Sequence, residues 1–251
     1  MSETAVSFIA FACVLGGALL GMFLRASLPE HHLSVDSKDF MKLGMGLIAT
    51  MAALVLGLLI ASAKSSYDIQ RNELTQISTN IIVLDRLMAN YGPETKEARD
   101  LLRRSVVRAL DQMWPENRSR AAQLEPGAPS EALSDEIYRL SPQNESQRFL
   151  KSQALPISVN LRQTRWLEVE QRTGSAIPTA VLAVLIFWLA IIFVSFGLFA
   201  PPNPTVIATL LVCVLSVSGA IFLIVELDRP FDGLIRIPSA PLRDALVHLG
   251  Q

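Results

Sequence analysis

Charge is what this chain lacks. Of its 251 residues 18% are charged and 51% are hydrophobic, and the formal net charge is −1. The shortage is local. No Asp, Glu, Lys or Arg occurs in residues 5–24, in residues 43–63, or in the 53 positions from 173 to 225. A water-soluble domain carries about a quarter of charged residues spread along its length. The three bare runs therefore exclude a single soluble globular domain, a disordered chain and a collagen-like fibre. Cysteine is scarce as well. Cys13 and Cys213 both fall inside bare runs, where a free thiol behaves as a small hydrophobe, so no disulfide framework or zinc site is expected. The near-zero net charge argues against a nucleic-acid partner. Neither Gly-rich phosphate-loop pattern occurs, which argues against nucleotide hydrolysis.

The bare runs themselves have the length of membrane spans. A hydrocarbon core of about 30 Å needs about 20 apolar helical residues. Ala5–Leu24 and Leu43–Ala63 each supply one span. The long run is broken by Ala200-Pro201-Pro202-Asn203-Pro204, which no helix tolerates. It divides into Ile177–Phe199 and Thr205–Val225, for four spans in all. The first span is read as a retained helix, because Met-Ser-Glu-Thr is not a basic leader and the apolar core is too long for a signal peptide.

The charge that is present lies between the second and third spans. Residues 64–176 hold 16 of the 22 Lys+Arg and 15 of the 23 Asp+Glu. Four spans put both termini and this insert on one face. Near the span ends that face carries Lys64, Arg71, Arg162, Arg165, Arg172, Arg229, Arg236 and Arg243. The opposite face has Arg25, Lys38 and Lys42. The excess of positive charge predicts a cytoplasmic insert with cytoplasmic termini. The expected divisions are 1–63 (helices 1 and 2), 64–176 (helical cytoplasmic domain), 177–225 (helices 3 and 4) and 226–251 (cytoplasmic tail).

The insert shows helical periodicity and no strand signal or internal repeat. Ile77, Ile81, Leu84 and Met88 form an apolar stripe that begins straight after span 2, so that helix is expected to run on to about Asn90. Gly92-Pro93 stops it, and Pro93 opens a second helix whose inward face is Leu101, Leu102, Val106, Leu110 and Met113. Pro115 ends that helix, and residues 115–129 read as a loop. Ser130 and Ser134 are candidate caps of a short helix near Ala132–Leu140. Ser141-Pro142 reads as an N-cap and first position of the next. Pro156 is expected to break or kink it, with a last helix over about Ser158–Arg172.

Few residues invite chemistry. His31-His32 near Glu30 and Asp36 suggests a metal site, but adjacent residues cannot both face one ion from a helix or strand. The only other histidine, His248, lies near the C-terminus, so no Ser-His-Asp arrangement is indicated. Thr50, Ser216 and Ser218 fit hydroxyls bonded to their own helix or a neighbour. No ionisable side chain lies deep in a span, which weakens a proton-coupled transporter. No enzymatic activity, cofactor or metal is expected.

Span 2 is the informative segment. Ala49, Ala53, Gly57 and Ala61 recur every four residues, a small-residue stripe that lets helix backbones approach. Beside it runs Thr50, Leu54 and Leu58. Both faces fit plain packing surfaces. Alternatively the stripe packs against a neighbouring helix while the second face lines a pore, where Leu rings gate by dewetting. Gly17-x-x-x-Gly21 in span 1 is a weaker packing signal. The tail Ile235, Ile237, Leu242 and Leu246 has enough apolar surface to dock on the insert.

Two stretches resemble bestrophin channels. Ala53-Leu-Val-Leu-Gly57 through Ser65-Ser66-Tyr67-Asp68 is similar to their second helix and its exit. Glu226-Leu-Asp228-Arg229-Pro230-Phe231-Asp232-Gly233 is similar to the segment where an acidic pair precedes Pro-Phe-Gly. The whole chain, most clearly Phe196–Asn203 through Leu242–Leu246, resembles a bacterial bestrophin-like domain family with no assigned activity. The resemblance implies an all-α membrane protein whose helical cytoplasmic insert extends a central pore. It implies a homo-oligomeric, pentameric ion channel with a neck at Thr50, Leu54 and Leu58. Its partners would be the lipid bilayer, further copies of itself and small inorganic ions. The sequence departs from bestrophins in two places. Ile69-Gln70-Arg71 stands where they have Arg-Trp-Trp, and Leu or Thr replaces the aromatic neck rings. No dense acidic run follows the Pro-Phe motif, so no calcium clasp is expected. The rival reading is a non-conducting membrane scaffold or sensor whose insert binds a partner.

Overall fold

A computed structural model describes residues 3–27, 35–114, 129–173, 179–199, 203–228, 230–231 and 233–250. Among these residues every regular element is helical. The order is α1 (Glu3–Ser27), α2 (Val35–Tyr91), a 3-10 turn (Pro93–Thr95), α3 (Lys96–Met113), α4 (Pro129–Arg139), α5 (Glu145–Thr173), α6 (Thr179–Phe199), α7 (Pro204–Leu227) and α8 (Ala240–His248). Four of them contain stretches long and apolar enough to cross a membrane: Ala5–Ser27, Met41–Tyr91, Ala180–Phe199 and Pro204–Leu227. His31-His32 and most of the expected loop 115–129 lie outside the described residues.

The chain forms two compact units. The first comprises residues 1–67 and 175–235, the second residues 68–174 and 236–251. Helix α2 contributes residues to both units, and no proline lies between Val35 and Tyr91.

In the first unit α1 packs on α6 and α7. Lipid tails are as apolar as Leu, so helices here are held by close packing rather than by leaving water. The closest approach is made by three glycines. A Cβ on Gly17 would stand 2.8 Å from the backbone oxygen of Ala190. One on Gly21 would stand 2.8 Å from the carbonyl carbon of Val194 and 2.9 Å from the nitrogen of Leu198. From the other side, one on Gly197 would stand 2.8 Å from the nitrogen of Met22. Gly17-x-x-x-Gly21 thus marks the tight contact of this unit, and Gly197 is its counterpart on α6. Ala10, Val14 and Ala18 of α1, Leu185, Leu189 and Phe193 of α6, and Val214 and Ile221 of α7 fill the shared core. Helix α2 adds Ala52, Leu59 and Ala63 to it. Pro204 opens α7 at its first turn, where a missing N–H costs nothing, after Asn203 in extended conformation.

The second unit has its own core. Leu74, Ile81, Leu84 and Met88 of α2 are buried at helical spacing, together with Ala98, Leu102 and Val106 of α3. Gly92, at φ 136°, ends α2 in a conformation that other residues rarely adopt. The Thr95 hydroxyl shares its proton between the carbonyls of Met88 at 2.6 Å and Gly92 at 2.8 Å, which also accept the backbone N–H of Gly92 and of Thr95, and so closes the turn into α3.

One buried ion pair fastens this hairpin. Arg99 Nε and Nη2 donate to Asp85 Oδ1 and Oδ2 at 2.8 and 2.9 Å. The hydrogen bond to Asp85 holds the Arg99 guanidinium above its ordinary pKa, against the opposing effect of burial. The C-terminal segment joins the same pair through Gly250 N, 3.4 Å from Asp85 Oδ2. That segment is docked at both ends. Trp114 Nε1 donates to Ile237 O at 3.0 Å, and Ile237, Leu242, Ala245 and Leu249 are buried, with Leu246 packed against them and Ile235 left exposed.

Three local expectations are corrected. Ser134 is not a cap, because α4 begins at Pro129 and contains it, and the Ser130 side chain lies outside what the structure describes. Ser141-Pro142 does not open α5, which starts at Glu145. The cap is Asn144, whose Oδ1 accepts from Gln147 N at 2.8 Å, while Gln147 Oε1 accepts from Gln143 N at 2.7 Å. This is a reciprocal arrangement of the capping-box kind. Pro156 does not break α5, which runs from Glu145 to Thr173 as one helix. Ala154, Leu155, Ile157, Ser158 and Leu161 flank the proline and pack into the core, and that burial offsets the lost backbone hydrogen bond.

Candidate functional site

The residues singled out on α2 form one side of the helix, and the first unit leaves that side open. The apolar window of α2 is 11% buried, whereas the other three spans are 28–33% buried. Leu54 is 64% exposed and Leu58 is 70% exposed, with Thr50 exposed one turn earlier. Thr50 spends its hydroxyl on Gly46 O at 2.8 Å, so it presents its methyl group and a satisfied oxygen. Leu43 and Leu47 continue the open face towards the start of the span.

The small stripe lies beside it. Ala53, Gly57 and Ala61 are exposed, Ala49 is half-buried, and a Cβ built on Gly57 meets nothing within 4 Å. Within one chain, the buried positions of the apolar span of α2 are Ala52, Leu59 and Ala63 instead. The sequence pattern identified a surface where backbones can approach closely, and within this chain the partner backbone is not supplied at Gly57.

The exit motif of span 2 is helical. Ser65 is exposed and Ser66, Tyr67 and Asp68 are half-buried. Lys64 Nζ sits 5.6 Å from the centroid of the Tyr67 ring, a cation–π contact at the end of the span.

The C-terminal motif is a closed turn whose centre is Glu226. Its side chain is 2% exposed. Oε1 accepts the backbone N–H of Leu234 and that of Ile235, the latter at 3.1 Å. Gly233 gives the carboxylate its room: a Cβ there would stand 2.6 Å from the Glu226 carboxyl carbon, and the Glu226 side chain would have to shift. A carboxylate at a helix C-terminus opposes the helix dipole. Here the two donated N–H groups compensate it. Pro230 is buried and Phe231 and Asp228 are half-buried; Arg229 and Asp232 lie outside the described residues. The acidic residue at 226 therefore anchors backbone. Among the described residues no group of three or more His, Cys, Asp or Glu side chains is placed to hold a metal ion.

Several relevant side chains were not flagged by the sequence. Asp85 and Arg99 lie 14 residues apart on two helices, and no spacing rule joins them. A signal was present in Asp85 itself, an acid that interrupts the apolar stripe between Leu84 and Met88. Gly197 is a lone glycine in an apolar run, and only its approach to Ala18, Gly21 and Met22 reveals its role. Ser216 bonds Val212 O at 2.8 Å, while the buried Ser218 hydroxyl has no partner among the described residues.

Comparison with known proteins gives one match. A family model described as Bestrophin-like domain matches residues 12–242. No curated protein and no solved structure matches the chain.

Proposed function

The chain belongs to the bestrophin-like domain family, and on that premise we propose that it is a pentameric ion channel of a bacterial inner membrane. At the coarser level it is a helical membrane protein related to bestrophin channels. In the proposed assembly α2 faces the symmetry axis. Thr50, Leu54 and Leu58 form the neck, and the stripe Ala49, Ala53, Gly57 and Ala61 meets a helix of the adjacent copy. The insert and both termini face the cytoplasm, in keeping with the excess of positive charge on that side. This reading assigns the protein no catalytic step.

The observation that carries it is the open face of α2. The other three spans bury 28–33% of their apolar windows within the chain, and α2 buries 11%. Its uncovered surface includes a row of small residues, the feature by which membrane helices approach one another. A Leu-lined constriction in a narrow pore holds water out until it widens, which gives the neck a gating role without any charged side chain.

Ion flux from liposomes containing the purified protein tests the reading. Leu54→Ala and Leu58→Ala should raise flux severalfold by widening and wetting the neck. An assembled oligomer that passes no ions over a range of voltage and pH, in the wild type and both variants, would sink the channel reading.

A further inference from the structure

The second unit contains a cavity of about 70 Å³ that the channel reading does not use. Its walls are Leu74 and Ile81 from α2, Val106 and Ala109 from α3, Leu161 from α5 and Leu242 from α8, among others. A cavity with mostly apolar walls can take up an apolar guest. At about 10–15 Å³ for each water-sized centre, the space holds roughly five of them, the bulk of a single alkyl chain of about six carbons. It is too small for the paired chains of a phospholipid.

The lining is not wholly apolar. Ser158 and Arg162 lie one turn apart on the same face of α5, and both reach the cavity. The Ser158 hydroxyl is already bonded to Leu155 O at 2.8 Å. Arg162 is different. It is half-buried and has no ion pair or hydrogen bond among the described residues. Arg99, the other partly buried arginine among the described residues of this unit, is matched bidentately by Asp85. A guanidinium drawn partly out of water calls for an anion, and its planar fork fits a carboxylate.

We propose that this cavity binds a single-chain alkyl carboxylate, with the hydrocarbon against Leu74, Val106 and Leu242 and the carboxylate paired to Arg162. Occupancy adds contacts among α2, α3, α5 and the docked α8, so it stabilises the second unit by mass action. The site is independent of whether α2 conducts ions.

The test uses the full-length protein in lipid nanodiscs, with empty nanodiscs as the blank and hexanoate as the probe. Hexanoate should bind saturably and raise the unfolding temperature, and hexan-1-ol should bind at least tenfold more weakly. Arg162→Gln should weaken hexanoate at least tenfold and leave hexan-1-ol unchanged, while Arg162→Lys should stay within a few-fold of wild type. Ala109→Phe, which fills the cavity, should abolish binding of both. The Arg162 variants keep the test decisive if Ala109→Phe does not fold. Absence of saturable hexanoate binding, equal affinity for the alcohol in the wild type, or an unchanged affinity in Arg162→Gln would each overturn the proposal.

Discussion

Replacing Gly21 by Ala adds one methyl group where the structure has no room for it. The new Cβ would stand 2.8 Å from the carbonyl carbon of Val194 and 2.9 Å from the backbone nitrogen of Leu198. Both are main-chain atoms, so no side chain can rotate away. The Val194 carbonyl oxygen lies closer still, so α1 and α6 must part by more than 0.6 Å to reach an ordinary 3.4 Å contact. That movement loosens the core around Ala18, Leu189 and Phe193. Overpacking of this kind costs about 1–3 kcal/mol. The better helix propensity of Ala returns at most about 1 kcal/mol, so the net change is a loss. Gly16→Ala is the matched control, because a Cβ there meets nothing within 4 Å. It should be neutral or slightly stabilising. The assay is unfolding of the purified protein in mild detergent by added SDS, followed by far-UV circular dichroism. The reasoning fails if Gly21→Ala unfolds at the same SDS fraction as Gly16→Ala.

Other substitutions probe the remaining contacts. Asp85→Asn leaves Arg99 without its counter-charge and weakens the acceptor for Gly250 N. Arg99 is a quarter exposed, so the loss is about 2–4 kcal/mol, and a thermal melt equal to that of the wild type would refute it. Burial, with a smaller contribution from Glu94, pushes the Tyr91 hydroxyl above its ordinary pKa. From about pH 10 upward the unfolded chain therefore ionises first, and stability falls as pH rises. Tyr91→Phe should remove that alkaline loss and cost little at pH 7, since the hydroxyl has no partner among the described residues; identical alkaline melts in both proteins would contradict this. Glu226→Ala strips the acceptor from Leu234 N and Ile235 N and should cost about 2 kcal/mol. The expected sign is faster proteolysis between α7 and α8, and an unchanged cleavage rate would count against the anchoring role. Gly57→Leu should leave the single chain folded but disrupt assembly, read by native mass spectrometry. Unchanged assembly would show that Gly57 faces lipid or a pore.

The spans and the long α2 were legible because they rest on two strong signals, the absence of charge and an apolar stripe at helical spacing. Ile77, Ile81, Leu84 and Met88 needed no tertiary knowledge to be placed on one face. Where two local signals competed, the weaker-looking one won. Ser141-Pro142 resembles a helix start, yet the reciprocal bonds of Asn144 and Gln147 satisfy more of the open N–H groups. Pro156 carries a strong local cost, but the residues on both sides of it are held by the core, and packing overrode propensity. Small residues posed a different problem. Spacing reveals that a backbone can be approached, not which helix approaches it. Gly17 and Gly21 meet α6 within the chain, and Gly57 meets nothing there. The candidate neck was legible as a face of α2, while its partner, if it lies on another copy, is beyond any reading of one chain.

A pore at the neck requires α2 to turn its uncovered face towards an axis shared by several copies. A single-particle map of the detergent-extracted protein tests it most directly. Five copies should stand around one axis, with Thr50, Leu54 and Leu58 lining a continuous central path and Gly57 against a neighbouring chain. A monomer, a dimer, or an assembly in which Leu54 and Leu58 point outward to lipid would contradict it.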